Sequence, residues 1–154
     1  MLKRLWEPDL ANYLRRNGVN TQEWVDAIVS GFDFSHAMYA QPLAVGEVYF
    51  QFARTPSLED PSPTLGSWFC LKGESLRRLG IHSPGAARRV GEFEVVEDIV
   101  AIEGLAKSLN STSELAKYGI GGHGGGTQIY VPPNLRAALR FRGLHDRVSG
   151  RAGV

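Results

Sequence analysis

The sequence predicts an α+β domain: an N-terminal helical segment followed by a small, mostly antiparallel sheet. Two observations carry this. Apolar residues recur at helical spacing through the first 31 residues, and after Pro42 the pattern turns into short alternating runs broken by proline and glycine. Helices first and strands later is the order of an α+β chain rather than of alternating βα units. A chain of 154 residues that is 43% hydrophobic and 21% charged is long enough for one core. The expected organisation is a helical segment, 1–42, packed on a domain formed by 43–154.

Each element has its own signal. Leu2, Leu5, Trp6, Leu10, Tyr13 and Leu14 make a first helical stripe, with Pro8 tolerable in the first turn and Asn17-Gly18 ending it. Asn20 and Glu23 are spaced as a capping box for a second helix, with Thr21 as a rival cap. Trp24, Val25, Ile28 and Val29 form its stripe, and Gly31 suits its C-terminal end. Residues 32–42 read as an aromatic-bearing connection. A strand is expected over 45–54, with Val48, Phe50 and Phe52 on one side and Glu47, Tyr49 and Gln51 on the other. Pro56, Pro61 and Pro63 make 55–65 a loop; a short strand at 67–71 and a helical turn near Glu74 to Leu79 follow. The run EFEVVE, 92–97, alternates again, and 99–109 fits strand or helix. Ser111 or Thr112 with Glu114 resembles a helix start, Thr127 to Val131 a strand closed by two prolines, and Asn134 to Phe141 a last helix.

Charge and cysteine content narrow the function classes. With 17 basic and 16 acidic residues, the net charge of +1 gives no broad electrostatic reason for nucleic acid or a membrane surface as partner. Arg136, Arg140, Arg142, Arg147 and Arg151 are locally basic and read as a solvated C-terminal helix and end, with phosphate or partner contact as the minority reading. Cys70 is alone, so neither an internal disulfide nor a cysteine zinc site is expected, which fits a reducing compartment. Met1-Leu2-Lys3-Arg4 leads into Trp6, Glu7, Pro8 and Asp9 rather than an apolar signal segment, and no run approaches the roughly 18 apolar residues of a membrane span.

The residue patterns that could carry chemistry are few. Arg54 continues the apolar row of its strand, so its guanidinium needs solvent, a carboxylate, or a ligand phosphate or ribose. In GSWF, 66–69, Gly66 allows close approach, Ser67 offers a hydroxyl, and Trp68 is either core or a ligand platform; a platform stays partly accessible. Five glycines surround His123 in IGGHGGGTQIYVPP, 120–133, either as a hairpin loop or to let a ligand reach the backbone. A strand follows this run rather than a helix, so neither the dinucleotide fingerprint nor a P-loop fits. Along that strand Gln128 and Tyr130 share one face, apart from Thr127, Ile129 and Val131.

Arg54 at the end of an early strand, Gly-x-aromatic in a second, and GGGTQ opening a late one together resemble the ADP-ribosyltransferase-like fold. More narrowly, the chain resembles NAD-glycohydrolase toxin domains of the tuberculosis necrotizing toxin type, found at the ends of bacterial polymorphic toxins. The likeness covers roughly residues 43 to 140, and its most specific part is GGHGGGTQIYVP. It implies a split, mostly antiparallel sheet and a catalytic domain over 43–154. NAD(P) would be the substrate, with no cofactor or metal. Gln128 would be the key active-site residue and Arg54 a dinucleotide contact. Ser67, Trp68, Gly126, Thr127 and Tyr130 would line the substrate, and Arg78, or else Arg88 or Arg89, would supply a second phosphate contact. It also implies a secreted or delivered effector acting in a target cell's cytosol, and a cognate immunity protein as partner. Arginine-specific transferases of this fold carry Ser-Thr-Ser and then Glu-x-Glu; here Ser111-Thr112-Ser113 follows Glu92-Phe93-Glu94, and positions 126 and 128 are not Glu. Hydrolysis of NAD is therefore favoured over transfer to arginine.

Cleaving the nicotinamide–ribose bond passes through an oxocarbenium-like state, as in glycoside hydrolysis, and releases a neutral base. Gln128 would hydrogen-bond a ribose hydroxyl or position water, Arg54 would clamp phosphate, and Trp68 would stack on nicotinamide. Three alternatives stand beside this: transfer of ADP-ribose to a macromolecule, an RNase-type toxin drawing on His36, His82, His123 or His145, and a non-enzymatic binding module. A Cys70 nucleophile is disfavoured, because a lone cysteine in the apolar run WFCL is usually buried and inert.

Overall fold

A computed structural model describes residues 3–34, 36–54, 68–72, 74, 87–106 and 126–146. The expected loop at 55–65, the turn after Glu74, the helix start near Ser111 and the glycines 121–125 lie outside the described residues.

Lys3–Leu5 is a short strand, β1, not the start of the first helix; α1 spans Glu7–Arg16. Pro8, in the first turn, explains the late start, since its ring suits a helix opening and not a helix interior. The Trp6 N–H donates to Asp9 Oδ2 at 3.1 Å, satisfying one donor at that end. In α2, Gln22–Val29, Thr21 is the cap: its hydroxyl oxygen accepts the Trp24 N–H at 3.2 Å. Val25 and Ile28 are buried, whereas Trp24, expected in the apolar stripe, is 40% exposed.

The stretch read as a connection contains a strand, β2, Met38–Leu43. Then follow β3, Val48–Arg54, β4, Trp68–Cys70, β5, Ala87–Val95, β6, Ile99–Leu105, and β7, Thr127–Tyr130. The expected last helix is a 3-10 turn, Pro133–Ala138, leading into an edge strand, β8, Leu139–Asp146. The basic tail is therefore not helical over this span. Arg140 pairs with Glu94 at 2.8 Å, and Arg142 approaches Glu92 at 3.6 Å, across the β5–β8 ladder. Leu139 and Phe141 alternate on the apolar side of that strand, and Leu144 joins them past the register shift opposite Glu92 and Phe93.

Among the described residues one sheet runs β1-β2-β6-β7-β4-β3-β5-β8, every pair antiparallel. Its narrowest join is between β4 and β3, where Phe50↔Cys70 is the registered pair. Gln51 reinforces that join by donating from Nε2 to the Trp68 carbonyl at 2.7 Å. Both faces of the central strands are buried, so alternation there separates two cores rather than core from water, while at the β5–β8 edge the helix-side face carries the partly exposed Glu92 and Glu94 and the exposed Arg140. One face carries a single cluster of Leu43, Tyr49, Phe69, Phe93, Val95, Ala101, Ile129, Val131 and Leu139, drawn from β2 through β8. The other is covered by α1 and α2 through Leu10, Leu14, Val25, Ile28 and Phe32, which meet Met38, Ile102 and Tyr130. Position 42/43 falls inside β2, and β1 and β2 extend the same sheet.

Candidate functional site

Register places the candidate residues in two rows on the helix-covered face. Gly104, Gln128, Cys70 and Phe50 stand side by side on β6, β7, β4 and β3; Ile102, Tyr130 and Trp68 form the next row. Gln128 is 7% exposed, and its Nε2 donates to the Gly31 carbonyl at 2.7 Å. Tyr130 is 2% exposed within the helix-side core. Trp68 is partly buried, with ring centroids 5.1 Å from Phe32 and 4.9 Å from Tyr130. The tryptophan is thus both packed and partly accessible, so both properties weighed for it are present.

Thr127 and Gly126 open β7 at the Gln128 end. The Thr127 N–H donates to Glu74 Oε2 at 3.2 Å, and the Gly126 carbonyl accepts the Ala106 N–H at 2.9 Å. Glu74 is 8% exposed, a buried carboxylate beside the row that holds Gln128. Burial, with the Glu74 charge adding to it, pushes the Cys70 thiol up to about 12. A thiol that stays protonated at neutral pH is a poor nucleophile.

Arg54 is the last residue of β3, four positions beyond Phe50. At ~3.3 Å per residue and ~4.8 Å per strand, its Cα stands roughly 16 Å from that of Gln128. The Arg54 side chain lies outside the described set, as do Ser67, Arg78 and the side chains of Arg88 and Arg89. A hollow of about 430 Å³ lies instead between α1 and the β2–β6 strands, lined by Asp9, Asn12, Tyr13 and Arg16 among others, and none of the residues above lines it. The described histidines are apart: His36 pairs with Asp33 at 3.2 Å on the α2–β2 connection, and His145 with Glu92 at 3.3 Å on β8. Among the described residues no cluster of His, Cys, Asp or Glu could hold a metal ion. Likewise, no helix among them is long and apolar enough to cross a membrane.

Three contributors escape a linear reading. Gly31 is legible as a helix end, but nothing local says that its carbonyl meets residue 128. Phe32 covers Gly104: a Cβ at position 104 would lie 2.7 Å from Phe32 Cδ1. Glu74 sits in an ordinary polar turn until the fold lays it against Thr127. Taken together, the described site offers an oriented amide, a buried carboxylate and a partly open aromatic surface. Those groups can hold a flat ring and a hydroxyl, and they contain no strong nucleophile.

No family model matches the sequence, and no curated protein matches it. Solved structures similar in fold include Tse6 and Rhs1-CT. Tse6, solved in complex with Tsi6, aligns over 92% of this chain and 95% of its own with a TM-score of 0.64 at 16% identity. Rhs1-CT, solved in complex with its cognate immunity protein RhsI1, aligns over 77% of this chain and 86% of its own with a TM-score of 0.51 at 19% identity. The α+β fold of this chain is therefore similar to the folds of Tse6 and Rhs1-CT.

Proposed function

We propose that this chain is a toxin effector domain, ADP-ribosyltransferase-like in fold, that hydrolyses NAD(P) to nicotinamide and ADP-ribose or its phosphate, and that a cognate immunity protein neutralises it. The observation that carries the proposal is the placement of Gln128 beside Trp68 on one face of adjoining strands, in a fold similar to that of a chain solved with an immunity protein. An immunity protein implies something to be immune to, which supports a toxin. The glycine run ending in GGGTQ supports NAD(P) as substrate. Delivery into a target cell's cytosol, where NAD(P) is abundant, follows from the same reading.

In the proposed mechanism the dinucleotide lies over β4 and β3, at the margin of the part of the face that the end of α2 and Phe32 cover. Its nicotinamide is held against the open part of Trp68, and its phosphates lie toward the Arg54 end, with Arg78 as the second contact. Ser67, Gly126, Thr127 and Tyr130 border the same ground. Gln128 Oε1 accepts a hydrogen bond from a ribose hydroxyl or from the attacking water, as cationic character builds at the anomeric carbon; the proton that water loses on bonding to that carbon passes to solvent. The leaving base is neutral, so no strong general acid is required. The roughly 16 Å between the Cα atoms of Gln128 and Arg54 suits a ligand with two separated parts.

The test is to incubate the purified chain with NAD and with NADP, following nicotinamide release and any labelled protein acceptor. Release without labelling supports hydrolysis; labelling of an acceptor moves the reading to a transferase. Gln128→Ala is expected to lower turnover by at least about a hundredfold with a cooperative melt retained. Unchanged turnover in that folded variant rejects the role given to Gln128. RNA degradation without NAD loss would replace the proposal with a nuclease.

A further inference from the structure

A glutamine amide has two chemically opposite ends, and here one of them is already committed. Gln128 Nε2 donates to the Gly31 carbonyl at 2.7 Å in a part-buried setting. That carbonyl is held on its own side: the Gly31 N–H donates to Ile28 O at 3.0 Å, and the Asp33 N–H donates to Leu105 O at 2.9 Å. Phe32 forms an antiparallel bridge with Ala106, whose N–H reaches the Gly126 carbonyl at 2.9 Å. The end of α2, the end of β6 and the start of β7 are thus one hydrogen-bonded frame, with the Gln128 amide inside it. Close packing leaves the frame little slack. A Cβ at position 31 would lie 3.2 Å from Trp68 Cη2, and Phe32 rests directly on Gly104.

We infer that Gly31 is a positioning residue for Gln128: its carbonyl holds the amide NH₂, so that Gln128 meets substrate through its carbonyl oxygen, and the segment 1–42 is part of the site. The inference rests on the hydrolase reading for the identity of the substrate. It fits the sign of the chemistry. An oxygen that accepts a hydrogen from water or a hydroxyl pushes electron density toward a cationic centre, whereas an N–H aimed at the same oxygen withdraws it. Because the frame fixes the amide before substrate arrives, no reorientation is needed during the reaction.

The test uses the full chain with ¹⁵N-labelled glutamine. In the free chain the Gln128 side-chain amide protons are expected to exchange at least about tenfold more slowly than those of an exposed glutamine, consistent with a buried hydrogen bond. That protection is expected to persist when ADP-ribose or nicotinamide is added. Gly31→Ala keeps the carbonyl but sets a methyl 3.2 Å from Trp68 Cη2, so ring or backbone shifts by a few tenths of an ångström and protection should weaken; Gln128→Asn is too short to reach Gly31 and should lose it. In the NAD assay Gly31→Ala is expected to lower kcat about tenfold, with KM changed less than about threefold. Free-glutamine exchange in the unliganded wild type overturns the inference, and so does loss of protection on adding ADP-ribose or nicotinamide. Either result leaves the hydrolase proposal standing. If the wild type leaves NAD intact, that proposal fails alone, and the exchange measurement, which needs no variant to fold, still decides the Gly31 contact.

Discussion

Gly104→Ala puts a methyl group where Phe32 already lies. The added Cβ would stand 2.7 Å from Phe32 Cδ1, 3.0 Å from Cε1 and 3.1 Å from Met38 Cγ, so the ring must move. Overpacking of this kind costs ~1–3 kcal/mol. Backbone freedom removed from the unfolded chain offsets ~0.4–1 kcal/mol of it. The net is a loss of up to about 2.6 kcal/mol, or a melting temperature lower by up to about 10 °C for a domain of this size. Urea titration is the assay: the midpoint should fall while the slope stays constant, which assigns the change to stability. A double-mutant cycle with Phe32→Leu isolates the cause, since the smaller side chain should remove at least half of the Gly104→Ala cost. An equal effect of Gly104→Ala in both backgrounds means that Phe32 does not rest on residue 104, and the cover over the Gln128 row is then misplaced.

Three other outcomes are expected. Thr21→Ala removes the acceptor for the Trp24 N–H and should cost about 1 kcal/mol, with Thr21→Ser close to wild type by thermal melting. Burial raises Tyr49 from an ordinary value of 10.0 to about 12, helped by Glu47, and Cys70 from 9.0 to about 12. Both groups are held neutral in the folded state, so the stability they contribute is complete below pH 9 and is lost as pH rises toward about 12. Alkaline unfolding should accordingly begin above pH 9, and Cys70 should resist alkylation at pH 8 until denaturant is added. Burial also raises the Glu103 carboxyl, so its charged form opposes folding: Glu103→Gln should raise the melting temperature at pH 7 and have less effect at pH 4.

The elements most legible in the sequence are those with one dominant local signal. The helix expected after Asn20 or Thr21 starts behind Thr21, the strand expected over 45–54 is Val48–Arg54, and the one expected over 127–131 is Thr127–Tyr130. The misses have physical reasons. Met38–Leu43 contains Pro42 and borders aromatic residues, yet it becomes a strand because β6 supplies a partner along its length. Leu139–Asp146 mixes arginines with apolar residues at a spacing that a helix also tolerates, and pairing with β5 decides it. At the candidate site, the shared face of Gln128 and Tyr130 was readable from the period of two. What covers that face was not, because the contacts of Gly31 and Phe32 with β6 and β7 exist only once distant segments meet.

The strand order has a consequence for how this chain comes to be folded at all. Leu43 has no sheet neighbour on its inner side until Ile99 exists, and Trp68 must wait for Tyr130. Contacts so remote along the chain delay folding, so refolding on the scale of milliseconds to seconds is expected in stopped-flow fluorescence. A shortened product ending before Thr127 would carry β4 with one flank unzipped, and Cys70 and Trp68 would lack their strand neighbours until β7 had been synthesised.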